Sequence, residues 1–310
     1  MGCADFAQLL FGTFEGNLKE EIHFHGVDVS PVSIARCKIL YKMILNQASS
    51  RSILQVWFST GWSKDTLKEF TKACNELVES NELQDKIEAN LIKYWSSKDV
   101  TLKTAMENWF KWKTPEEPFE PLANFKLEVD RVNYARYVIT GYIFEEKEEN
   151  LSHGNRTMFS FPPNVNVTAR DDHENFYYTF DVSNNFDIEY KGSLKLSADT
   201  YMMKKMDMLR KLVNEKSLKM TFKQGFVSKT NPTLSMKIRS MNPTTIDWSN
   251  IPEYFFPNEI FFDMAKKMSG ENTIHYLHLM YEWQKQVHGL SLDDFPEDDW
   301  KEVLESRMAR

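Results

Sequence analysis

Asp28 has the position and the chemistry of a ligand-binding residue. It follows the stretch His23–Val27 (HFHGV) and precedes Ser30 and Pro31, which favour the start of a helix. A carboxylate at the carboxyl end of a strand can accept two hydrogen bonds from the hydroxyls of a ribose. The same carboxylate can also simply close the turn between strand and helix while it faces solvent. The residues alone leave both interpretations open.

The histidines are the other candidates for chemistry. His23 and His25 alternate along the predicted strand, so both point to one face near Asp28, and His275 and His278 share one face of a helix if that segment is helical. Neither pair has an evident third ligand, and structural histidines are commoner than metal ligands, so we predict no metal site. The sequence contains neither the G-x-S-x-G elbow of a hydrolase nor a G-x-x-x-x-G-K phosphate loop.

Composition argues against several classes of function. The chain has 310 residues and a net charge of -7, which weighs against a nucleic-acid binder because phosphate binding needs a clustered basic surface. No apolar run approaches the length of a membrane span, and the opening residues lack the basic region of a signal peptide. Cys3, Cys37 and Cys74 are too few and too scattered for a disulfide framework or a zinc site. We therefore expect a cytoplasmic protein that binds neither nucleic acid nor a membrane.

The first third of the chain is predicted to hold one strand followed by helices. Residues Ile22–Val27 indicate the strand, and the capped segment after it begins a helix with apolar spacing to about Asn46. The run Ile53–Ser59 is apolar and β-prone, and its periodicity does not separate a buried strand from a short buried helix. Ser63 caps a clearer helix, and two more are predicted within residues 81–113.

After the proline-rich segment Thr114–Leu122 the sequence changes to a β-rich pattern. A methionine-rich helix from Thr200 interrupts this pattern, and we expect its methionines to fill a core rather than bind a metal. Near the C-terminus, a helix is predicted to begin at Asn258 and to end at Gly270. Strands are predicted at residues 134–144, 162–170, 175–182, 186–198, 219–222 and 234–240.

Three stretches of the sequence resemble a known family, in the same order along the chain. They are GCADFAQLLF near the start, HFHGVDVSPVSIARCKILYKMI from His23, and TIDWSNIPEYF from Thr245. The family is the methyltransferase-like domain of the third dynein axonemal assembly factor, which also occurs in some MYND-finger proteins. The likeness covers roughly residues 1–80 and 240–290, and Ala35-Arg36 matches an Ala-Arg-rich helix of the family.

The resemblance implies an α/β fold with a Rossmann-like sheet, similar to that of methyltransferases that use S-adenosylmethionine. It implies that Gly2 and Asp5 border the methionine end of this cofactor and that Asp28 faces its ribose. Because the chain begins at Met1, no strand is expected before Gly2, so the sheet is expected to be incomplete. The resemblance also implies a pocket floor lined by Asp247, Ser249 and Asn250.

Residues 1–113 are therefore interpreted as a Rossmann-like α/β half with a helical extension, and 114–232 as a β-rich insertion. Residues 233–310 are interpreted as a return segment that completes the α/β domain.

Two functions are compatible with these observations. Ala4 stands where the family has a second glycine, which narrows the room for a ligand, and no general base or nucleophile is recognisable. Both points favour a non-catalytic binding or assembly protein with a protein partner. The alternative is an S-adenosylmethionine-dependent methyltransferase, since methyl transfer from a sulfonium depends mainly on positioning and needs little acid–base help.

Overall fold

The chain is a mixed α/β protein in which helices predominate. The computed structural model describes residue 9 and residues 21–80, 83, 85–112, 128–144, 151–159, 194–225, 232–248 and 258–276. Helices account for 64% of these residues, and the strands form small sheets. The chain divides into a larger compact unit, Cys3–Gln224, and a smaller one, Gly225–Arg310 with Met1–Gly2.

The larger unit combines short strands with longer helices. Strands β1 and β4 pair in parallel, whereas β2 and β3 pair antiparallel. In chain order its described elements are β1 (Ile22–Asp28), α1 (Pro31–Leu45), α2 (Ser50–Phe58), β2 (Gly61–Trp62), α3 (Lys64–Glu79), α4 (Lys86–Ser97), α5 (Leu102–Trp112), α6 (Glu128–Thr140), β3 (His153–Gly154), a 3-10 turn (Arg156–Met158), α7 (Leu194–Asn214) and β4 (Leu218–Gln224).

The junction between β1 and α1 forms where the sequence predicts it. Ser30 has an extended backbone, and its Oγ accepts a hydrogen bond from the Ser33 backbone N–H at 3.2 Å, so it caps the helix. Pro31 occupies the first turn, where its missing N–H removes no helical hydrogen bond. Asn46 ends the helix by donating its backbone N–H to the Lys42 carbonyl at 2.9 Å. Both predicted ends of this helix are confirmed.

Helix α1 lies at the centre of the larger unit. It contacts α2, α3, α4 and α7 as well as β1 and β4. Residues on all sides of the helix are buried, among them Ile34, Ile39 and Met43. A helix that is buried on all sides is a core helix, because a surface helix keeps a solvent-exposed face.

The apolar run Ile53–Ser59 is a buried helix. Ser49 begins α2 by accepting a hydrogen bond from the Ser52 backbone N–H at 3.1 Å. Near the other end, the rings of Trp57 and Phe58 stack with their centroids 4.9 Å apart. Of the two interpretations that periodicity leaves open, the helix is the correct one.

Four further predicted helices are confirmed by α3, α4, α5 and α7. Ser63 caps α3, accepting a hydrogen bond from the Thr66 backbone N–H at 3.1 Å. Helix α7 begins at Leu194, earlier than the predicted Thr200. Its residues Met202 and Met206 are fully buried, which confirms that they fill the core.

The β1–β4 sheet has one buried and one polar face. Its register runs from Ile22 opposite Leu218 to Asp28 opposite Gln224, so both strands end at the same edge. Leu218, Met220 and Phe222 alternate with exposed polar residues along β4, which confirms the predicted strand at 219–222. This alternation is typical of a sheet with one covered face, whereas doubly wound parallel sheets are apolar on both.

In the smaller unit the described elements are α8 (Pro232–Ser240), β5 (Thr245–Asp247), α9 (Asn258–Met268) and β6 (Ile274–Tyr276). Strands β5 and β6 pair in parallel, and α8 packs against α9. Trp248 is fully buried and packs against Phe261 of α9, with the ring centroids 4.9 Å apart. The helix predicted from Asn258 to a stop at Gly270 is confirmed.

The strand predicted at residues 134–144 is wrong, because α6 occupies residues up to Thr140. Its aromatic and β-branched residues favour a strand locally. Instead, Asn133 and Tyr137, one helical turn apart, are both buried, and the Tyr137 ring packs on Trp109 at 5.4 Å between centroids. Tertiary packing therefore overrides local propensity, and a helix places both side chains in the core.

The strand predicted at residues 234–240 is also wrong. It is α8, in which Leu234 and Ile238, again one turn apart, are buried. Residues 194–198 of the strand predicted at 186–198 belong to α7. The described part of the predicted β-rich insertion is thus mostly helical. The predictions for residues 114–122, 162–170, 175–182 and 186–193 lie outside the described residues.

Across the described ranges, no helix combines the length and the apolar composition needed to cross a membrane.

Candidate functional site

Asp28 lies at the carboxyl edge of the β1–β4 sheet. It is the last residue of β1, it stands opposite Gln224 at the end of β4, and α1 begins soon afterwards at Pro31. Ligands of open α/β sheets bind at this kind of edge. The prediction that Asp28 ends a strand of a parallel pair is therefore confirmed, whereas its predicted position beside Gly2 stays a prediction because Gly2 lies outside the described residues.

The carboxylate of Asp28 closes the turn that leads into α1. Its Oδ1 accepts a hydrogen bond from the Ser30 backbone N–H at 2.8 Å, and the residue is only 8% exposed. This is an Asx turn, in which a side-chain oxygen takes the place of a backbone acceptor. Ser30 then repeats the arrangement by capping α1 with its own side chain. The polar groups at this edge thus stabilise the local backbone.

Gln224 ties the ends of the two strands together. Its Nε2 donates a hydrogen bond to the Val29 carbonyl at 3.0 Å, next to Asp28. The sequence gives no hint of this role, because only the parallel register between two segments far apart in the chain brings Gln224 to the turn.

The described residues of this edge leave little access for the ribose of S-adenosylmethionine. Two ribose hydroxyls need carboxylate oxygens that the ligand can reach, but Asp28 is only 8% exposed and one acceptor position of its Oδ1 is taken by the Ser30 N–H. The start of α1 also offers few donors to an anionic group, since Pro31 has no N–H and the Ser33 N–H is held by the cap. The Ser33 hydroxyl is fully buried and has no hydrogen-bond partner in the described structure.

Gly2, Asp5, Ser249 and Asn250, which were also predicted to bind the cofactor, lie outside the described residues. Asp247 is the last residue of β5 in the smaller unit, where it stands opposite Tyr276 at the carboxyl end of the β5–β6 pair. Asp28 and Asp247 therefore each end a strand of a parallel pair, one in each compact unit. Their predicted contribution to a joint site stays a prediction.

The histidines of β1 lie on the exposed face of the sheet. His23 Nε2 is 3.0 Å from Glu21 Oε1, and His25 Nδ1 is 2.6 Å from Thr221 Oγ1. Lys219 also contacts the Glu21 carboxylate and, as its hydrogen-bond donor, lowers the pKa of that group. An ammonium at this position opposes cation binding. Within the described ranges, no three His, Cys, Asp or Glu side chains are arranged to hold a metal ion.

A serine–histidine pair lies in the smaller unit, but its hydrogen bonds run in the wrong direction for catalysis. The indole Nε1 of Trp248, which can only donate, lies 2.7 Å from Nδ1 of His275. The neutral ring therefore carries its hydrogen on Nε2, which donates to Ser269 Oγ at 2.8 Å. The Ser269 hydroxyl donates in turn to the Ala265 carbonyl at 2.7 Å. A general base would have to accept the serine proton, so this pair is structural.

Asn155 organises a buried polar network. Its Nδ2 donates to the carbonyls of Val56 and Ser59 at 3.0 and 2.7 Å, at the end of α2. Its Oδ1 accepts from the backbone N–H and the hydroxyl of Thr157 at 2.9 and 2.8 Å. The residue is fully buried, so the Asn-x-Thr pattern here is not a glycosylation site. Its bonds satisfy carbonyls that the helix end leaves open, which is a structural role that the sequence does not signal.

Comparison of the chain with protein-family models, with curated proteins and with solved structures finds no match in any of the three.

Proposed function

We propose that the chain is a non-catalytic binding or assembly protein on a Rossmann-like scaffold, similar to the methyltransferase-like domain of the dynein assembly factor family. The observation that carries this proposal is the hydrogen bond from the Ser30 backbone N–H to Asp28 Oδ1. A methyltransferase would use this carboxylate for the cofactor ribose, whereas here one of its oxygens closes a turn and the residue is nearly buried. The serine–histidine pair of the smaller unit, whose tautomer is wrong for a base, supports the same proposal.

A protein is the proposed partner. Helix α6 exposes Val129, Val132 and Ile139, which are 47%, 60% and 49% exposed and lie on one side of the helix. Apolar side chains on one side of a helix provide a surface on which a protein partner can pack. The net charge of -7 weighs against a nucleic-acid partner.

A cytoplasmic location is part of the proposal. Cys37 and Cys74 are free thiols that lie buried in the core. Burial raises the pKa of the Cys74 thiol far above its usual range, so this group stays protonated and unreactive. Free buried cysteines are compatible with a reducing compartment.

The alternative function is an S-adenosylmethionine-dependent methyltransferase, and two observations favour it. Asp28 ends a strand at the carboxyl edge of a parallel pair, where such a cofactor binds in related folds. The buried Ser33 hydroxyl without a partner is the kind of group that a bound ligand can satisfy.

Calorimetric titration of the purified full chain with S-adenosylmethionine and S-adenosylhomocysteine separates the two functions. We expect no saturable heat in the micromolar range, because the carboxylate of Asp28 is engaged in its turn. Saturable heat that Asp28→Ala abolishes would overturn the proposal and support the methyltransferase. Asp65→Ala is the matched control, since Asp65 is an exposed aspartate in the first turn of α3.

A further inference from the structure

The smaller unit contains a hydrogen-bond relay that requires a neutral histidine. The relay runs from the Trp248 indole to His275, then to the Ser269 hydroxyl and the Ala265 carbonyl. It joins the residue that follows β5 to β6, and β6 to the C-terminal end of α9, so it connects three elements of the unit. We infer that acidification opens the smaller unit, because a proton on Nδ1 of His275 removes the acceptor of the Trp248 N–H. This inference is independent of the proposed function.

Protonation would leave the two donors facing each other. Trp248 is fully buried, so its indole N–H cannot turn to water without movement of β5 or β6. A buried donor without an acceptor is strongly unfavourable, and the positive charge on the ring adds to the imbalance. The backbone bonds beside the ring hold the strand pair together. They run from Trp248 N–H to the Tyr276 carbonyl and from Ile274 N–H to the Thr244 carbonyl, both at 3.0 Å.

Burial lowers the pKa of His275, and this shift has no contribution from a neighbouring charge. The side chains bonded to its ring, Trp248 and Ser269, are uncharged. Asp247 lies on β5 opposite Tyr276, whereas His275 stands opposite Ile246. Other charged side chains are described on the helices of this unit and on the turn before β6. They are Lys237 and Arg239 on α8, Asp263, Lys266 and Lys267 on α9, and Glu271 in the turn.

The direction of the pH effect follows from this lowered pKa. In the unfolded chain His275 takes up a proton near its ordinary value of about 6.5, whereas the folded unit resists protonation until a lower pH. The neutral ring of His275 therefore stabilises the folded unit fully above about pH 6.5. This stabilisation is lost as the pH falls from about 6.5 towards the lowered pKa of His275 in the folded unit. One proton changes the opening equilibrium by at most about tenfold per pH unit in that interval.

Hydrogen exchange of the full chain between pH 7.5 and pH 5 tests this inference. The backbone N–H groups of Trp248 and Ile274 report on the smaller unit, and the Ile22 N–H, bonded to the Ser217 carbonyl at 2.8 Å, reports on the larger one. After correction for intrinsic exchange, we expect opening at Trp248 and Ile274 to rise below pH 6.5, by up to about tenfold per unit. Protection at these two positions that does not change with pH would overturn the inference.

His275→Gln is the decisive variant. The glutamine amide can accept from Trp248 and donate to Ser269, but it does not titrate. We expect its exchange to be independent of pH, whereas the control His23→Gln in the larger unit should keep the native pH response. The same acid opening in His275→Gln would contradict the relay. If that variant does not fold, imidazole nitrogen NMR of the native chain decides, since the relay requires the Nε2–H tautomer of His275 at pH 7.5 and an Nδ1–H tautomer refutes it.

Discussion

In each of the two parallel strand pairs, β1–β4 and β5–β6, one strand ends in an aspartate. Different hydrogen bonds hold the strand ends in the two pairs. At the end of β1, Asp28 Oδ1 accepts a hydrogen bond from the Ser30 backbone N–H, and the Gln224 amide donates one to the Val29 carbonyl. Beside β5, a chain of side chains passes through the imidazole of His275. The ends of similar strand pairs are therefore held by side-chain bonds to the backbone in one unit and by a relay through one imidazole in the other.

The buried contacts inside the two units also differ, in the kind of group that joins the elements. In the larger unit, Asn155 and other buried polar groups bond to backbone carbonyls around α2, beneath a core built on α1. In the smaller unit the contacts of Trp248 with His275 and Phe261 join the elements. We therefore expect substitutions that damage buried backbone partners to act most strongly in the larger unit, and acidification from about pH 7.5 to about pH 5 to open the smaller unit through His275.

The largest effect is expected from Gly154→Ala in β3. A Cβ at this position would lie 2.5 Å from the Thr101 carbonyl oxygen and 2.6 Å from Val100 Cγ1, and a backbone atom cannot move aside easily. We expect a loss of about 3–4 kcal/mol in the free energy of unfolding, measured by urea denaturation. In the smaller unit, Gly270→Ala meets the Asn242 side chain, which can shift, so its loss should be smaller. An equal or larger loss at Gly270 would contradict the comparison.

Lys38→Met should have the next largest effect. Lys38 bonds to Glu88, whose side chain is 2% exposed, and burial raises the pKa of Glu88 even though Lys38 acts to lower it. Without Lys38 the buried carboxylate has lost its partner, so we expect a loss of about 3 kcal/mol at pH 7.5.

The pH dependence of the Lys38→Met loss gives a sharper test. Because the pKa of Glu88 is raised in the folded chain, its protonated carboxyl favours folding below pH 4.5, the ordinary pKa of the group. This contribution to stability is lost as the pH rises from 4.5 through the raised pKa. The loss in Lys38→Met should therefore shrink as the pH is lowered towards 4.5, the opposite direction to the His275 effect. The control Lys38→Met/Glu88→Met should be close to native stability at pH 7.5, and a double variant as unstable as the single one would contradict the desolvation argument.

Asn155→Ala should have a smaller but clear effect. It removes the donor to two buried carbonyls and the acceptor of the Thr157 groups, so we expect a loss of about 2 kcal/mol in urea unfolding. Asn214→Ala, at the exposed last position of α7, is the matched control and should change stability by less than about 0.5 kcal/mol. Similar losses in the two variants would show that the Asn155 network contributes little.

Features with a local cause were predictable from the sequence. Ser30 and Ser63 mark the starts of α1 and α3 because a cap needs only its own side chain and the next turn. Asp28 was placed correctly at a strand end for the same reason, since β1 and the helix that follows are both encoded nearby.

Features that depend on distant contacts were not predictable. Residues 134–140 have strand propensity and form a helix because Tyr137 packs against Trp109. Gln224 reaches the turn of Asp28 only through the parallel register of β1 with β4. The same holds for Asn155, whose partners Val56 and Ser59 lie far away in the sequence. A single sequence contains no signal for such pairings.

Urea unfolding of Asp28→Ala and Asp28→Asn tests most directly whether this carboxylate closes a turn or is kept for a ligand. An asparagine can accept the same hydrogen bond from the Ser30 N–H, but an alanine cannot. We predict that Asp28→Ala loses about 1 kcal/mol and that Asp28→Asn stays within about 0.5 kcal/mol of the native chain. An alanine variant as stable as the native chain, or more stable, would contradict the account, because residues kept for a ligand are often held at the expense of stability.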